Sequence, residues 1–525
     1  MFKYLIKRLL HAAVSVILVV GIVMILIYSL MDKNTIFQHD ERWTKISNNV
    51  KEEYKYQRWE RYGYLDYISY SQYLDILVMN NEITQEKKEE VVNFGYDDTY
   101  DTEEVHEYVQ KFRKTYAKKG YKVVRLKALR LSEDSDILKK DGEQKLFAYK
   151  NLNIFKRMWN YFTGVISIDN IHYADEVVGR RGISFTFFDP VYGGKKFSPA
   201  IMGNGTKHKY LLYFDNKFPF IHQNLIQFRL GTSYSVSEGV DISDYMTQEQ
   251  GRIVSKTVYY PTGYVEKSSD NLHDLVYISN SNNDAFMQER FVDNYTNTGT
   301  YKMGNSMIEY SFIIGLIATI ISYLLAVPLG ILMARKKDKL ADKIGTIYIV
   351  FIMAVPSLAY IFMFRQVGSS LFGLPTTFDT NTSNILVYFL PIISLALPAI
   401  AGLMKWLRRY MIDQMNSDYV KFARAGGLSE TEIFTKHIFK NAAIPIVQGI
   451  PASILACLTG AIITESVYTV PGSGKLLTDA IHATDNGVIV GLTFFYAILS
   501  VISLILGDIL MAMFDPRISF STKGR

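Results

Sequence analysis

Lys405-Trp-Leu-Arg-Arg-Tyr-Met-Ile-Asp-Gln-Met-Asn-Ser-Asp-Tyr-Val-Lys-Phe-Ala-Arg-Ala-Gly-Gly-Leu-Ser-Glu-Thr-Glu-Ile-Phe-Thr-Lys-His-Ile-Phe-Lys-Asn441 is a basic stretch set between two long apolar runs. Its spacing predicts a helix through Ala425 that stops at Gly426-Gly427, because glycine suits the left-handed cap of a helix C-terminus. Ser429 then reads as the N-cap of a second helix, with Glu432 three residues on completing a capping box. In that second helix Ile433, Phe434, His437 and Ile438 fall near one face. The stretch is therefore expected to be a rigid helix–Gly-Gly–helix elbow. A rigid element can pass motion between a motor and the membrane; a loose tether cannot.

Working outward, the 525-residue chain is 49% hydrophobic with a formal net charge of +6, and its apolar residues are strongly segregated. Residues 9–31 and 309–514 are dense in apolar runs, whereas 32–306 is polar, charged and rich in tyrosine. An apolar run of about 18 residues or more is a candidate membrane helix, since roughly 20 residues at 1.5 Å each cross the hydrocarbon. Six spans are predicted, near 9–31, 311–333, 344–364, 385–404, 442–464 and 488–513. The first apolar stretch is longer than a signal-peptide core and no A-x-A-like site precedes Asp32, so it reads as a retained anchor. Lys3, Lys7 and Arg8, the run 335–343 and the elbow 405–441 are basic, while 366–384 has no Lys or Arg and 465–487 has only Lys475. The positive-inside rule then predicts both termini, 334–343 and 405–441 in the cytoplasm, and 32–306 outside.

Residues 32–306 are too long for a loop and are expected to fold as an α+β module. Helical patterning in 85–92 and 102–119 gives way to strand-like runs such as 209–214 and 252–260. Its aromatic residues are read chiefly as core. The single cysteine, Cys457, allows no intramolecular disulfide. Basic residues flank the apolar spans and form no separate basic domain, so no nucleic-acid partner is expected.

Tyr419-Val420, Ala423-Arg424-Ala425-Gly426-Gly427-Leu428-Ser429, Asn441-Ala442 and Pro445 resemble the cytoplasmic coupling motif of bacterial ABC importer permeases, in the longer spacing of the oligopeptide and dipeptide branch. Lys421 stands where the family motif opens with Glu, and Gly426 where Lys is commoner. Met1–Leu10, Leu230-Gly-Thr-Ser-Tyr234, Pro328-Leu-Gly330, Val355-Pro-Ser357, Leu390-Pro391, Leu397-Pro398, Pro471-Gly-Ser-Gly-Lys-Leu-Leu477, Gly507-Asp508 and Asp515-Pro-Arg517 resemble that branch too. Gly205-Thr-Lys-His-Lys-Tyr-Leu-Leu-Tyr-Phe214 and Phe218-Pro-Phe-Ile-His-Gln223 are similar to the streptococcal type of its B-type subunit.

The resemblance implies an all-α type-1 permease fold of six transmembrane helices: 1–31 with the first span, 32–306 as extracytoplasmic insert, 307–520 as permease domain, and a cytoplasmic tail at 521–525. It implies half of an oligopeptide pathway in the bacterial cell membrane, without an ATPase site of its own. The partners it implies are a second homologous permease, two cytoplasmic ATPases that use the ATP, and an extracytoplasmic peptide-binding lipoprotein. Tyr419, Val420, Ala423, Arg424, Ala425, Gly426, Gly427, Leu428, Ser429 and Glu432 would form the ATPase-coupling loop. Glu465, Pro471, Gly472 and Gly474 would shape the mouth of the pathway. No cofactor, metal or catalytic residue is expected on this chain.

Gly472-Ser-Gly-Lys475 is a decoy for a phosphate loop, because Thr469 and Leu476 stand where that motif needs Gly and Ser or Thr. Glu465 and Asp508, the acidic residues nearest the spans, are read as capping or water-facing. An ion-coupled transporter would need an ionisable cluster at mid-membrane, which the sequence lacks. A peptide-sensing receptor is the other alternative; it would give the elbow no motor to meet.

Overall fold

The computed structural model describes residues 2–514 apart from 39, 47, 102–106, 128, 131–137, 140–143, 169–181, 189–196, 198–199, 205–209, 215–220, 224–225, 238, 255, 260–264, 269–274, 278–294, 298–300, 303–304 and 383. The motif residues 205–209, 218–220 and 515–517, the helical start expected at 102–106 and the tail 521–525 lie outside the described residues.

Among the described residues, five helices are long and apolar enough to cross a membrane: Ile6–Leu30, Met307–Arg335, Ile385–Met415, Glu430–Tyr468 and Asn486–Met513. The span expected at 344–364 is instead a bent pair, Leu340–Ala354 and Ser357–Phe372, whose halves meet at 107° and make a sixth crossing when counted together. Proline causes the break. Pro356 cannot donate a backbone hydrogen bond, and it forces the residue before it out of helical geometry. Val355 accordingly sits at φ −82°, ψ 130°.

The central pair of helices is α2 (Met307–Arg335) and α5 (Phe389–Met415), numbered along the chain with α1 (Phe2–Leu30), α3 (Leu340–Ala354), α4 (Ser357–Phe372), α6 (Asp418–Ala425), α7 (Lys440–Thr459) and α8 (Asn486–Phe514). Small residues let α2 approach its neighbours. Its buried stripe includes Ser311, Gly315, Ala318, Ser322, Ala326 and Gly330. A methyl at Gly315 would lie 2.8 Å from Cys457 Cβ on α7. The Ser322 hydroxyl bridges to the Ala396 carbonyl at 3.2 Å. Helix α1 packs on α8, and Arg8 pairs there with Asp508, which is buried; of the capping or water-facing roles read from the sequence, the water-facing one does not hold.

The insert is α+β, as expected. Leu146–Asn151 is the middle strand of an antiparallel sheet, pairing with Leu65–Ser69 on one edge (Ile68 opposite Ala148) and Lys122–Arg125 on the other (Val123 opposite Ala148). Helices Tyr70–Met79 and Glu107–Lys118 cover it, burying Tyr70, Leu74, Val109, Phe112 and Tyr116. A second cluster gathers Ile36, Phe37, Tyr54, Trp59, Tyr64, Leu65 and Tyr67. Many of the insert's aromatic residues are thus core. Burial pushes the Tyr54 phenol up to about 12, so it stays a neutral donor to Asp40, at 2.7 Å. A separate four-stranded sheet runs in the order Ile221–Gln223, Tyr210–Phe214, Ala200–Asn204, Gly182–Thr186.

Asp485, fully buried at the head of α8, ties the insert to the membrane helices. Its carboxylate accepts from Ser233 Oγ at 2.7 Å and from the backbone amides of Tyr234, Ser235 and Val236 at 3.0, 2.9 and 3.2 Å. It also caps its own helix through the Val488 amide at 3.3 Å. The Tyr234 hydroxyl donates to the Thr484 carbonyl and accepts from the Asn486 amide at 2.6 Å. The segment Leu230-Gly-Thr-Ser-Tyr234 is therefore a clamp on the last helix. Replacing Asp485 with Ala would strand several buried donors, at about 1–3 kcal/mol for each one left unsatisfied. Thermal unfolding of the purified chain should show a loss of several kcal/mol for Asp485→Ala, and about 1–3 kcal/mol for Tyr234→Phe.

Candidate functional site

The elbow grows out of α5, whose helix continues past the expected end of its span to Met415. After Asn416, Ser417 sits at φ −72°, ψ 149° and α6 begins. The predicted glycine stop is a Schellman motif: the Gly427 amide donates to the Arg424 carbonyl at 3.0 Å and the Leu428 amide to the Ala423 carbonyl at 3.2 Å. Gly427 carries the left-handed conformation, φ +80°, while Gly426 keeps φ −75°. Ser429 and Glu432 form the reciprocal capping box. Between them the Arg424 guanidinium grips Glu430 with two bonds, 2.7 and 3.2 Å, locking one arm of the elbow to the other.

Ile433–Phe439 is wound as a π-helix before α7 takes over, a feature absent from the sequence reading. Ile433, Phe434 and Ile438 are buried there and His437 is half-buried. With Val420 and Ala442 they pack on Ala334 of α2 and on Leu407 and Met411 of α5. The Tyr419 hydroxyl donates to Gln414 Oε1 at 2.6 Å and reaches the His437 carbonyl at 3.4 Å, stitching the root closed. Arg408 of α5 also forks onto Asp342 of α3, at 2.5 and 2.7 Å.

The candidate coupling residues therefore divide into two groups. Val420 is buried, and Tyr419 and Ala423 are half-buried at the root. Arg424, Ala425, Gly426, Gly427, Leu428 and Ser429 form an exposed tip, and Glu432 is half-buried between them. Phe422 was missed: it is 83% exposed on the outer side of α6, and Leu428 in the tip is 40% exposed. Its signal was the helical period, since Val420 and Ala423 share the inner face and leave position 422 outside. Lys421 holds the Asp418 carboxyl below the usual carboxylate range through a 2.8 Å bond.

Glu465, Gly472 and Gly474 come together as a buried knot with Pro471 half-buried beside it. The Glu465 carboxylate accepts from Ser311 Oγ at 2.8 Å and from the Ala461 and Lys475 amides, each at 2.9 Å. A methyl at Gly472 would overlap that carboxylate and lie 2.6 Å from Ser311 Oγ. Glu465 is thus a capping residue sealed inside the protein; the water-facing alternative does not hold. Backbone amides, invisible to side-chain motifs, explain how a carboxylate is buried there.

The family described as binding-protein-dependent transport system inner membrane component matches residues 326–520. Over 532 aligned residues the chain is 35% identical to the oligopeptide transport system permease protein AmiC of Streptococcus pneumoniae, covering 100% of both chains. It is 32% identical to the dipeptide transport system permease protein DppB of Lactococcus lactis, over 43% of this chain and 73% of that one. A solved structure of an amino acid ABC transporter aligns with 40% of this chain and 90% of its own, at 18% identity and a TM-score of 0.30.

The two elbow glycines are expected to respond differently to a side chain. Gly427→Ala places a Cβ in the left-handed region and should cost about 1–2 kcal/mol. Gly426→Ala meets its nearest neighbours at 3.5 Å and should stay within about 0.5 kcal/mol of wild type. Gly472→Ala should cost about 1–3 kcal/mol by overpacking the knot. Thermal unfolding of the three purified variants ranks them.

Proposed function

Because this chain belongs to the oligopeptide permease family of ABC importers, we infer that it is a membrane-spanning subunit of an ATP-driven peptide importer, forming half of the translocation pathway. The observation that carries this reading is the end-to-end likeness to a pneumococcal oligopeptide permease, insert included. ATP is used by partner subunits. A second, homologous permease completes the pathway, two ATPases dock from the cytoplasm, and a peptide-binding lipoprotein delivers cargo from outside. The basic elbow and the basic run after α2 favour the cytoplasmic side for both termini, which puts 32–306 outside.

In this reading the exposed tip, with Phe422 and Leu428 as apolar anchors and Arg424 forked onto Glu430, is the surface offered to an ATPase. The buried root transmits what the tip receives. Val420, Ile433, Phe434 and Ile438 pack on α2 and α5, and their segment runs directly into α7, so a displaced tip would bear on all three. Packed cores move between discrete arrangements instead of deforming smoothly, which suits alternating access.

Phe422→Asp with Leu428→Asp should leave membrane insertion intact and weaken ATPase docking by about 2 kcal/mol or more, roughly thirtyfold. Copurification with the ATPases and labelled-peptide uptake measure it. Normal uptake at normal expression would remove the tip from coupling.

A further inference from the structure

Helix Ile154–Gly164 belongs to the insert by sequence, but it packs on the membrane helix α1. Met158 packs on α1 so closely that a methyl at Gly21 would lie 2.7 Å from its Cε. Gly21 lies well inside the apolar run, about 14 Å along the axis from Leu30 at 1.5 Å per residue. Tyr161 and Phe162 meet Phe494 edge-on, at 6.0 and 6.3 Å between ring centroids. Phe494 in turn lies about 12 Å down α8 from Asn486. Half of a hydrocarbon core is about 15 Å deep, so both contacts fall within one leaflet.

The helix also has a second apolar stripe, which joins none of the buried clusters among the described residues. Phe155 and Trp159, one turn apart, are 72% and 65% exposed. The strand pair that follows extends this patch with Ile166, 57% exposed, opposite Phe228, 43% exposed. The neighbouring α1 likewise has a bare face, where Leu18, Ile22 and Leu26 are each more than half exposed. The polar residues point the other way. Arg157 extends back toward the end of α1, its guanidinium 3.6 Å from the Tyr28 ring centroid and 4.1 Å from that of Tyr64. Reaching up to an aromatic belt is how a long basic side chain keeps its charge out of hydrocarbon.

We propose that Ile154–Gly164 is an interfacial helix of the insert, sunk into the leaflet at the Leu30 end of α1, with Phe155 and Trp159 in contact with lipid acyl chains. That this is the outer leaflet rests on the orientation given under Proposed function; immersion itself does not. Apolar area on one face, basic residues on the other and tryptophan at the boundary are what such a helix needs. The insert is thereby held to the bilayer along its flank as well as through its chain ends.

The full chain, reconstituted in bilayers with brominated acyl chains, tests this. Tryptophan emission is compared between wild type and Trp159→Phe, and their difference isolates Trp159. Brominated lipid should quench the difference signal several-fold more than aqueous iodide does. Quenching by iodide with none from the brominated chains would overturn the proposal. A nitroxide at Phe155→Cys in a Cys457→Ala background gives a second reading. Its collisions with oxygen should match those of a Leu18→Cys label and exceed those with a water-soluble nickel chelate. Chelate access equal to that of a Lys87→Cys label would also overturn it. Neither result depends on which side of the membrane the insert occupies.

Discussion

A backbone amide or carbonyl left unpaired in hydrocarbon costs several kcal/mol, and the helical part of this chain is organised around avoiding that cost. Where a helix breaks inside the apolar region, side chains from other helices supply the missing partners. The interruption after Thr459 is the clearest instance. The Glu465 carboxylate takes the Ala461 and Lys475 amides, and Ser311 of α2 takes the Ser473 amide at 2.9 Å while donating to Glu465. The Ser473 hydroxyl returns a bond of 2.7 Å to the Leu458 carbonyl. Glycines at 460, 472 and 474 are what let backbone and carboxylate come this close. A Pro-Gly-rich segment that looks like a surface turn in sequence is therefore an internal closure.

The elbow obeys the same demand in a different setting. Its first helix closes through the Schellman pair at Gly427, its second opens through Ser429 and Glu432, and Arg424 joins the two across the turn. The turn's main caps are thus held within the bend itself. The inner face is left free to pack on Ala334, Leu407 and Met411, and the outer face carries Phe422 and Leu428 into solvent. Stiffness and exposure, the two properties the proposed coupling role needs, come from separate residues.

Local chemistry made much of this legible before any coordinates. Apolar run length found the membrane helices, glycine and serine fixed the turn of the elbow, and the polar composition of 32–306 marked a folded insert. Contacts between distant segments were not legible. The run 344–364 reads as one span by its length, so the 107° bend at Val355-Pro356 was not legible there. The π-turn at Ile433–Phe439 has no local signature, and Phe422 is distinguished from Val420 only by which side of α6 meets the core. Nothing beside Asp485 in the sequence signals the amides of 234–236, which arrive from elsewhere in the chain.

That last arrangement has a consequence for how the protein is made. Ser233 and Asp485 are 252 residues apart. At about 5–20 residues per second, the ribosome delivers the carboxylate roughly 13–50 s after its hydroxyl partner. Throughout that interval the amides of the 233–236 turn must be solvated by water or a chaperone. The insert's seam with the bilayer-spanning bundle is thus among the last parts to set, and translation halted before Asp485 would leave the insert without its latch.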